Sequence, residues 1–388
     1  MTKPKRIGIL TSGGDCGGLN AVIRAVVRRA RDYDIEIYGI KGATQGLMNR
    51  PVEAELLDMK KVSGILRYGG TILGTVNKGN PFAYPMPDGS ILDRSEEVIE
   101  GYHKLGLDGL IGIGGDGSLA ILRRLAQQGN MNLVAVPKTI DNDLGATENS
   151  IGFNTAVSVA VEALDRLTYT AISHSRVMIL EVMGRDAGHI AVSAGIAGGA
   201  HIVLIPEIPY DLDQVCDRLM NRALRGFHFS IMVVAEAVKT PTGEPVKYTN
   251  SLGQTLYGGI GQYLGDQISL RTGMESRVSV LGHVQRGSTP SALDRILGAA
   301  FGVAAVDLVA QGKYDRMVAW SNREVIDVPI ADAIAQYSAV DTHGTLIRTA
   351  IGLGTYVGEI EQIALTRGLS PLPVQVVGGA CAENFKAL

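Results

Sequence analysis

The stretch Arg6-Ile-Gly-Ile-Leu-Thr-Ser-Gly-Gly-Asp-Cys-Gly-Gly18 sets an apolar run directly before a turn rich in glycine, Gly13–Gly18, which we call the first turn. Beyond this turn, apolar residues recur at the spacing of one helix face: Ile23, Val26, Val27 and Ala30. The stretch therefore predicts a buried strand, a tight turn and a helix. Such units build parallel α/β sheets.

The same unit recurs along the chain. An apolar run from Leu110 leads into a second turn, Gly114-Gly-Asp-Gly-Ser118, and then a helical pattern. Later strands are expected at 177–182, 201–205, 229–235 and 278–281, with helical patterns between them. We therefore expect an α/β fold with doubly wound, mostly parallel sheets. Two stretches rich in Pro and Gly, 77–89 and 239–245, are expected to be loops.

Composition limits the classes of function. The chain has 388 residues, more than one ordinary domain, and a net charge of −3, which argues against nucleic acid or an anionic membrane as main partner. The sequence contains no uninterrupted run of about 20 apolar residues, so no membrane span is expected. No signal-peptide segment is evident. The cysteines Cys16, Cys216 and Cys381 suit neither a disulfide framework nor a metal site. We expect a reduced, cytoplasmic protein.

A third turn, Pro137-Lys-Thr-Ile-Asp-Asn-Asp143, follows an apolar run and carries two carboxylates. Parallel α/β proteins bind ligands outside the carboxyl ends of their strands, so the three turns are expected to face one ligand. Glycine lets the backbone approach phosphate. Asp116, in the second turn, is favourable beside phosphate if a divalent cation lies between them.

This arrangement favours magnesium-dependent phosphoryl transfer over nicotinamide binding. A dinucleotide site needs an acidic residue about 20 positions after its glycine turn, and this chain has Val136, Pro137 and Lys138 there. Phosphoryl transfer needs positioning, charge neutralisation and a base for the nucleophile. One aspartate of the third turn can serve the metal, and the other can accept the proton of an attacking hydroxyl.

Six segments, taken in order, resemble the 6-phosphofructokinases over nearly the whole chain: Thr11–Asp15, Gly69–Gly74, Gly114–Ser118, Pro137–Asp143, Met183–Arg185 and Leu281–Gly287. That family transfers a phosphoryl group to the 1-hydroxyl of fructose 6-phosphate with Mg²⁺. The resemblance implies the phosphofructokinase fold, with two Rossmann-like lobes around an active-site cleft. The donor lobe is expected at 1–152 plus 285–335, and the sugar lobe at 153–284 plus 336–388.

The resemblance also assigns roles to residues at the matching motif positions. It implies that Asp141 is the general base and that Asp116 and Asp143 hold Mg²⁺. It implies that Thr139 and Arg185 stabilise the transferring phosphoryl group. The residues implied to bind the donor are Gly14, Lys78, Gly115, Asp116, Gly117, Ser118 and Lys138. Those implied to bind the sugar phosphate are Thr139, Asp141, Met183, Gly184, Arg185, Glu236, His283 and Arg286, joined by Arg176 and Arg277 of a neighbouring subunit in a dimer or tetramer.

Two positions bear on the identity of the phosphoryl donor, and they favour different donors. Gly117 is typical of ATP users, because a carboxylate there would crowd and repel the α-phosphate. Lys138 is typical of pyrophosphate users, because an ammonium there can hold the terminal phosphate of a short donor. The steric factor favours ATP. Pyrophosphate stays an alternative donor, because Asn77 and Lys78 stand where bacterial ATP enzymes usually carry an arginine, and Ile121 replaces a glycine that leaves room for adenosine.

The sequence is also compatible with a different acceptor or with a loss of activity. The chain could phosphorylate another sugar phosphate, or act as a silent regulatory subunit, although silent relatives tend to lose the aspartates that this chain retains. Arg24 and Arg28 align with effector-site arginines of allosteric bacterial relatives, and a polar helix face explains them as well. Cys16 lies near a helix N-terminus, where a thiolate is favoured.

Overall fold

The computed structural model describes residues 4–77, 79–249 and 255–359. The donor-binding prediction for Lys78 and the sugar-lobe prediction for the stretch after residue 359 lie outside the described residues. The strands are β1 Lys5–Thr11, β2 Ile35–Ile40, β3 Ala54–Leu57, β4 Tyr84–Pro85, β5 Ile91–Leu92, β6 Gly109–Gly114, β7 Leu133–Thr139, β8 Ile151–Gly152, β9 Val177–Val182, β10 Ile202–Leu204, β11 Ser230–Ala235, β12 Lys247–Thr249, β13 Thr255–Tyr257, β14 Ser276–Val280, β15 Arg316–Ser321 and β16 Glu324–Pro329.

Helices lie between most of these strands. They are α1 Leu19–Ala30, α2 Gln45–Met48, α3 Met59–Val62, α4 Ser95–Lys104, α5 Asp116–Gln128, α6 Phe153–His174, α7 His189–Ala197, α8 Leu212–Leu224, α9 Ile260–Thr272, α10 Ala292–Ala310, α11 Ile330–Ala335 and α12 Thr345–Gly352. Short 3-10 helices also occur, and the one at Gly282–Arg286, which we call the 3-10 segment, is described further below. Within the described ranges, no helix is both long and apolar enough to cross a bilayer.

The larger sheet has the strand order β16-β15-β7-β6-β1-β2-β3, and β8 extends it beside β7. Its strands from β15 to β2 pair in parallel, whereas the edge strands β16 and β3 are antiparallel. Every residue of β6 is buried, as expected of a central parallel strand covered by helices on both faces. The predicted α/β class with mostly parallel strands is confirmed.

The smaller sheet has the order β10-β11-β9-β14, and all its pairs are parallel. Its buried strands share one continuous apolar cluster with those of the larger sheet, and α6 and α10 contribute to the same cluster. The larger sheet is built from segments of residues 5–152 and 316–329, and the smaller from segments of 177–280. The chain thus forms one sheet, crosses to the other and returns.

Two details differ from the sequence-based expectations. The stretch 77–89, expected to be a loop, contains a 3-10 helix at Pro81–Ala83 and the strand β4, which pairs with β5. The strand expected at 278–281 begins at Ser276, because Ser276 and Arg277 pair with β9. These two polar residues were excluded from the predicted strand. An edge strand accepts them because one side of it faces solvent.

A buried carboxylate joins the starts of α6 and α10. Asp294, in the first turn of α10, is 0% exposed. It accepts hydrogen bonds from the backbone N–H groups of Gly152 (3.0 Å) and Thr155 (2.7 Å) and from the Thr155 hydroxyl. The first N–H groups of a helix have no partner within the helix, so this carboxylate supplies acceptors that α6 lacks.

Asp294→Ala is expected to lower the free energy of unfolding by about 2–4 kcal/mol, because it leaves buried donors at the start of α6 without an acceptor. Denaturant titration followed by circular dichroism measures this change. The control is Asp165→Ala on the exposed face of the same helix, expected to change stability by no more than about 0.5 kcal/mol. Equal midpoints for both variants would contradict the assigned role of Asp294.

Candidate active site

The three turns lie side by side at one edge of the larger sheet. They follow β1, β6 and β7, which are neighbouring parallel strands. Lys138 Nζ donates to the carbonyl oxygen of Gly14 at 2.7 Å. A Cβ placed on Gly13 would lie 3.0 Å from Ser118 Oγ. The first turn therefore lies against both of the others.

The Thr139 hydroxyl bonds to both aspartates of the third turn, to the backbone of one and to the carboxylate of the other. Thr139 Oγ1 accepts from the backbone N–H of Asp141 (3.1 Å) and donates to Asp143 Oδ1 (3.3 Å). Between the two aspartates, Asn142 adopts a left-handed conformation with φ of 54°, which asparagine tolerates better than most residues. Its side-chain oxygen accepts from the backbone N–H of Ser150 at 2.9 Å. These bonds fix the reversal that keeps the carboxylates together.

The carboxylates repel one another. Burial, aided by the charge of Asp143, raises the pKa of Asp141 to about 6. Burial and the charge of Asp116 raise the pKa of Asp143 above its usual value. Arg185 Nη1 reaches into the cluster, 3.4 Å from Asp116 Oδ2 and 4.0 Å from Asp143 Oδ2. A cation between these two carboxylates is therefore electrostatically favourable.

The second turn forms the N-terminus of α5. Gly115 is the residue before the helix, and Asp116 is its first residue. The free N–H groups and positive dipole end of such a terminus suit a phosphate group. Gly117 is exposed, and a Cβ placed on it would meet nothing within 4 Å. Packing does not require glycine at this position, so the absence of a side chain leaves space for a ligand.

Arg185 belongs to a turn, Met183–Arg185, that follows β9 of the smaller sheet; we call it the arginine turn. Gly184 has a φ of 155° and Arg185 a φ of 52°. Glu236 Oε1 accepts from the backbone N–H groups of Gly184 (3.3 Å) and Arg185 (3.0 Å). Burial raises the pKa of Glu236 to about 7. The turn carries a guanidinium from one sheet to the carboxylates of the other.

The 3-10 segment contacts both sides of the site. Arg286 Nη1 donates to the backbone oxygen of Asp15 in the first turn at 3.0 Å, whereas His283 is exposed. Gln285 Oε1 accepts from the backbone N–H of Met183 at 2.8 Å. Sequence reasoning did not single out Gln285. Its place between His283 and Arg286, within the motif Leu281–Gly287, was the one available signal.

Two predicted sugar-binding residues lie elsewhere. Arg176 immediately precedes β9, and Arg277 is the second residue of β14; both pair with the carboxylate of Glu275. The site lies at the opposite, carboxyl end of β9. The six residues of this strand span about 20 Å. The structure does not bring these two arginines to the site of the same chain.

Cys16 is not placed for redox chemistry. Its side chain is 0% exposed, and its Sγ donates to the carbonyl oxygen of Ile151 at 3.4 Å. Burial raises the pKa of the thiol to about 12, so the thiolate favoured by the position near a helix N-terminus does not form. The cysteine acts as a small, buried apolar residue within the first turn.

Asp116 and Asp143 are suited to Mg²⁺. Among the described residues, no cluster of three or more His, Cys, Asp or Glu side chains is arranged to hold a metal ion alone. Magnesium commonly binds one or two carboxylates and completes its shell with water and substrate phosphates. Two carboxylates that both approach one guanidinium nitrogen match that requirement.

Comparison with known proteins agrees with this geometry. The model of a family described as Phosphofructokinase matches residues 6–309. A protein of Nostoc sp. strain PCC 7120 named ATP-dependent 6-phosphofructokinase 1 is 63% identical over 359 residues, covering 92% of this chain and 100% of the relative. Its namesake in Synechocystis sp. strain ATCC 27184 is 61% identical, covering 92% and 99%.

Solved structures with this fold carry related names. The crystal structure of Pichia pastoris phosphofructokinase in the T-state has a TM-score of 0.75 and 27% identity, and the match covers 92% of this chain and 37% of that longer chain. A pyrophosphate-dependent phosphofructokinase from Nitrosospira multiformis has a TM-score of 0.74 at 22% identity, covering 92% and 93%, and supports the fold alone. On the family match and the high identity of the relatives over most of its length, the chain belongs to the phosphofructokinase family.

Proposed function

We propose that this chain is an ATP-dependent 6-phosphofructokinase. It transfers the γ-phosphoryl group of ATP to the 1-hydroxyl of fructose 6-phosphate and yields fructose 1,6-bisphosphate, a reaction of glycolysis. One observation carries the proposal: Asp116 and Asp143 pair with Arg185 beside the buried Asp141, at the place where two phosphate-type glycine turns converge. The names of the relatives that are 61–63% identical support the choice of donor and acceptor.

Asp141 acts as the general base. A carboxylate whose pKa is about 6 is ionised at neutral pH yet more basic than an exposed aspartate, which suits proton abstraction from the sugar hydroxyl. Thr139, bonded to both aspartates of its turn, and Arg185 stabilise the charge of the transferring phosphoryl group. Mg²⁺ held by Asp116 and Asp143 supplies neutralisation of the donor's charge.

The donor phosphates lie over the first and second turns. Gly14, Gly115 and Gly117 allow close approach of the backbone, and Ser118 and the start of α5 offer hydrogen-bond donors. Lys138 is 4% exposed, and its ammonium already donates to Gly14. This bond holds the ammonium against the first turn, and its low exposure limits the access of a donor phosphate to its other N–H groups. This contact favours ATP over the shorter donor.

The sugar phosphate lies between the arginine turn and the 3-10 segment. Glu236, Met183 and Gly184 face the sugar, while His283 and Arg286 bind its 6-phosphate. Arg286 uses one N–H group on the backbone oxygen of Asp15, and its other N–H groups are the donors for the phosphate. Among the described residues, the donor lobe comprises those of 4–152 and 285–335, and the sugar lobe those of 153–284 and 336–359.

A neighbouring subunit completes the site. Arg176 and Arg277 lie about 20 Å from the site of their own chain, and Arg277 stands exposed on the edge strand β14. Apolar side chains are exposed nearby, Val280 at 58% and Val284 at 64%. A homo-oligomer, dimer or tetramer, covers this surface and brings both arginines to the 6-phosphate of its neighbour. A cytoplasmic location stays a prediction.

The choice of donor is tested with purified protein, assayed with ATP or pyrophosphate and with fructose 6-phosphate or sedoheptulose 7-phosphate. Turnover with ATP and fructose 6-phosphate is expected, and none with pyrophosphate. Gly117→Asp should fold normally, because nothing occupies that space. It should lower kcat/KM for ATP by about 100-fold or more through repulsion of the α-phosphate. Gly117→Ala is the uncharged control, and turnover with pyrophosphate alone would reverse the assignment.

Asp141→Asn tests the general base. The variant is expected to lose about 10²–10⁴-fold in kcat, because the amide cannot accept the proton, while fructose 6-phosphate still binds in a calorimetric titration. For the parent protein, kcat/KM should fall as the pH drops through about 6, since protonated Asp141 is no longer a base.

Glu236→Gln is the matched control for that pH profile, because Glu236 also titrates near neutrality. Its amide oxygen can still accept from the arginine turn. The control variant should retain the fall in kcat/KM near pH 6. Near-normal turnover of Asp141→Asn would remove Asp141 from its role. So would a Glu236→Gln variant whose kcat/KM no longer falls as the pH drops through about 6, because Glu236 would then be the titrating group.

A further inference from the structure

The arginine turn is held in place by three bonds to side chains and by one backbone bond, from the N–H of Ala187 to the carbonyl oxygen of Gly184 at 2.9 Å. Its three consecutive N–H groups, from Met183 to Arg185, all donate to side-chain oxygens. Gln285 Oε1 receives the first at 2.8 Å, and Glu236 Oε1 receives the second and third. Arg185 is left-handed, with φ of 52°. A non-glycine residue persists in that conformation only where its surroundings enforce it.

Gln285 is the buried member of this pair. Its side chain is 0% exposed, and Nε2 has no hydrogen-bond partner within the part of the chain that the structure describes. An unpartnered buried amide costs stability. Stability therefore does not account for a glutamine at this position, and the bond from Oε1 to Met183 is the interaction it makes.

We propose that Gln285 is a positioning residue of phosphoryl transfer, which acts through Arg185 and touches neither substrate. This inference rests on the proposed function. Glu236 holds the turn as well, but it faces the sugar and its pKa is about 7, so its contacts change with substrate and pH. Gln285 carries no titrating group and lies out of reach of solvent. It supplies the constant part of the restraint.

The location of Gln285 makes it a link between the two substrate sites. The next residue, Arg286, donates to Asp15 in the first turn at 3.0 Å. Two successive side chains of the 3-10 segment thus fix the arginine turn on one side and contact the donor turn on the other. Gln285 sets where Arg185 stands relative to the donor phosphates.

The test is a double-mutant cycle on kcat with ATP and fructose 6-phosphate at saturation. Gln285→Met keeps a similar shape and removes the acceptor for Met183. It is expected to lower kcat by about 10–100-fold, as misplacement of a catalytic group does, while KM for fructose 6-phosphate changes by no more than about 3-fold. Arg185→Lys should also lower kcat. In the double variant the loss in kcat should be smaller than the product of the two single losses, because Gln285 acts through Arg185.

A core variant controls for general destabilisation. Leu219→Ala, in the fully buried face of α8, should lower the melting temperature and leave kcat near the parent value. Its small effect on kcat should be unchanged in the Arg185→Lys background. If Gln285→Met does not fold, Gln285→Asn retains the amide but withdraws it from Met183, and the same loss and the same coupling are expected.

Three results would overturn the inference. Parent-like kcat in the folded Gln285 variant would show that the bond is dispensable. Multiplying losses, with Arg185→Lys itself impaired, would show that Gln285 acts on something other than Arg185 and would leave the proposed function standing. Parent-like kcat in Arg185→Lys would instead remove Arg185 from the proposed mechanism, and the inference would fail with it.

Discussion

The mutual repulsion of three carboxylates is the constraint on which the rest of this site depends. Asp116, Asp141 and Asp143 lie at the mouth of a buried parallel sheet, and Arg185 is the cation nearest to two of them. Burial and the neighbouring carboxylate raise the pKa of Asp141 and of Asp143, and the cluster of negative charge favours a cation among the three. That environment suits a polyphosphate accompanied by a metal, and it makes one aspartate basic enough to accept a proton.

The fold places these charges by two simple means. Neighbouring parallel strands end at the same edge of the sheet, so turns that are far apart in the sequence become neighbours. The second sheet then brings Arg185 to the site from the other side, on a turn whose three N–H groups donate to side chains of Gln285 and Glu236. The larger sheet therefore contributes turns at its strand ends, whereas the turn of the smaller sheet relies on side-chain contacts made by Glu236 and Gln285.

Local pattern was enough to predict the strand–turn–helix units and the α/β class, because apolar runs and glycine turns act over a few residues. It also selected the aspartates of the second and third turns, since charge directly after a buried strand has few structural explanations. Local pattern did not predict the short pairing of β4 with β5 inside an expected loop. That pairing depends on tertiary contacts.

Local sequence pattern did not predict contacts between segments that are far apart in the chain. Lys138 bonds to Gly14, 124 residues away; nothing in the sequence says that its ammonium is engaged. Gln285 resembles an ordinary polar residue next to the charged Arg286, and only packing reveals that it is buried. The position of Cys16 near a helix N-terminus suggested a thiolate, but burial dominates and raises the pKa of the thiol to about 12.

The most direct test of the charge constraint is a calorimetric titration of ATP into the parent protein and the Asp116→Asn/Asp143→Asn variant, with and without Mg²⁺. The account predicts that the order of the ATP affinities of the two proteins reverses when Mg²⁺ is added. Without Mg²⁺ the variant should bind ATP more tightly than the parent, because the repelling carboxylates are gone. With Mg²⁺ the parent should bind more tightly, because only it holds the metal. The same order of affinities under both conditions would contradict the account.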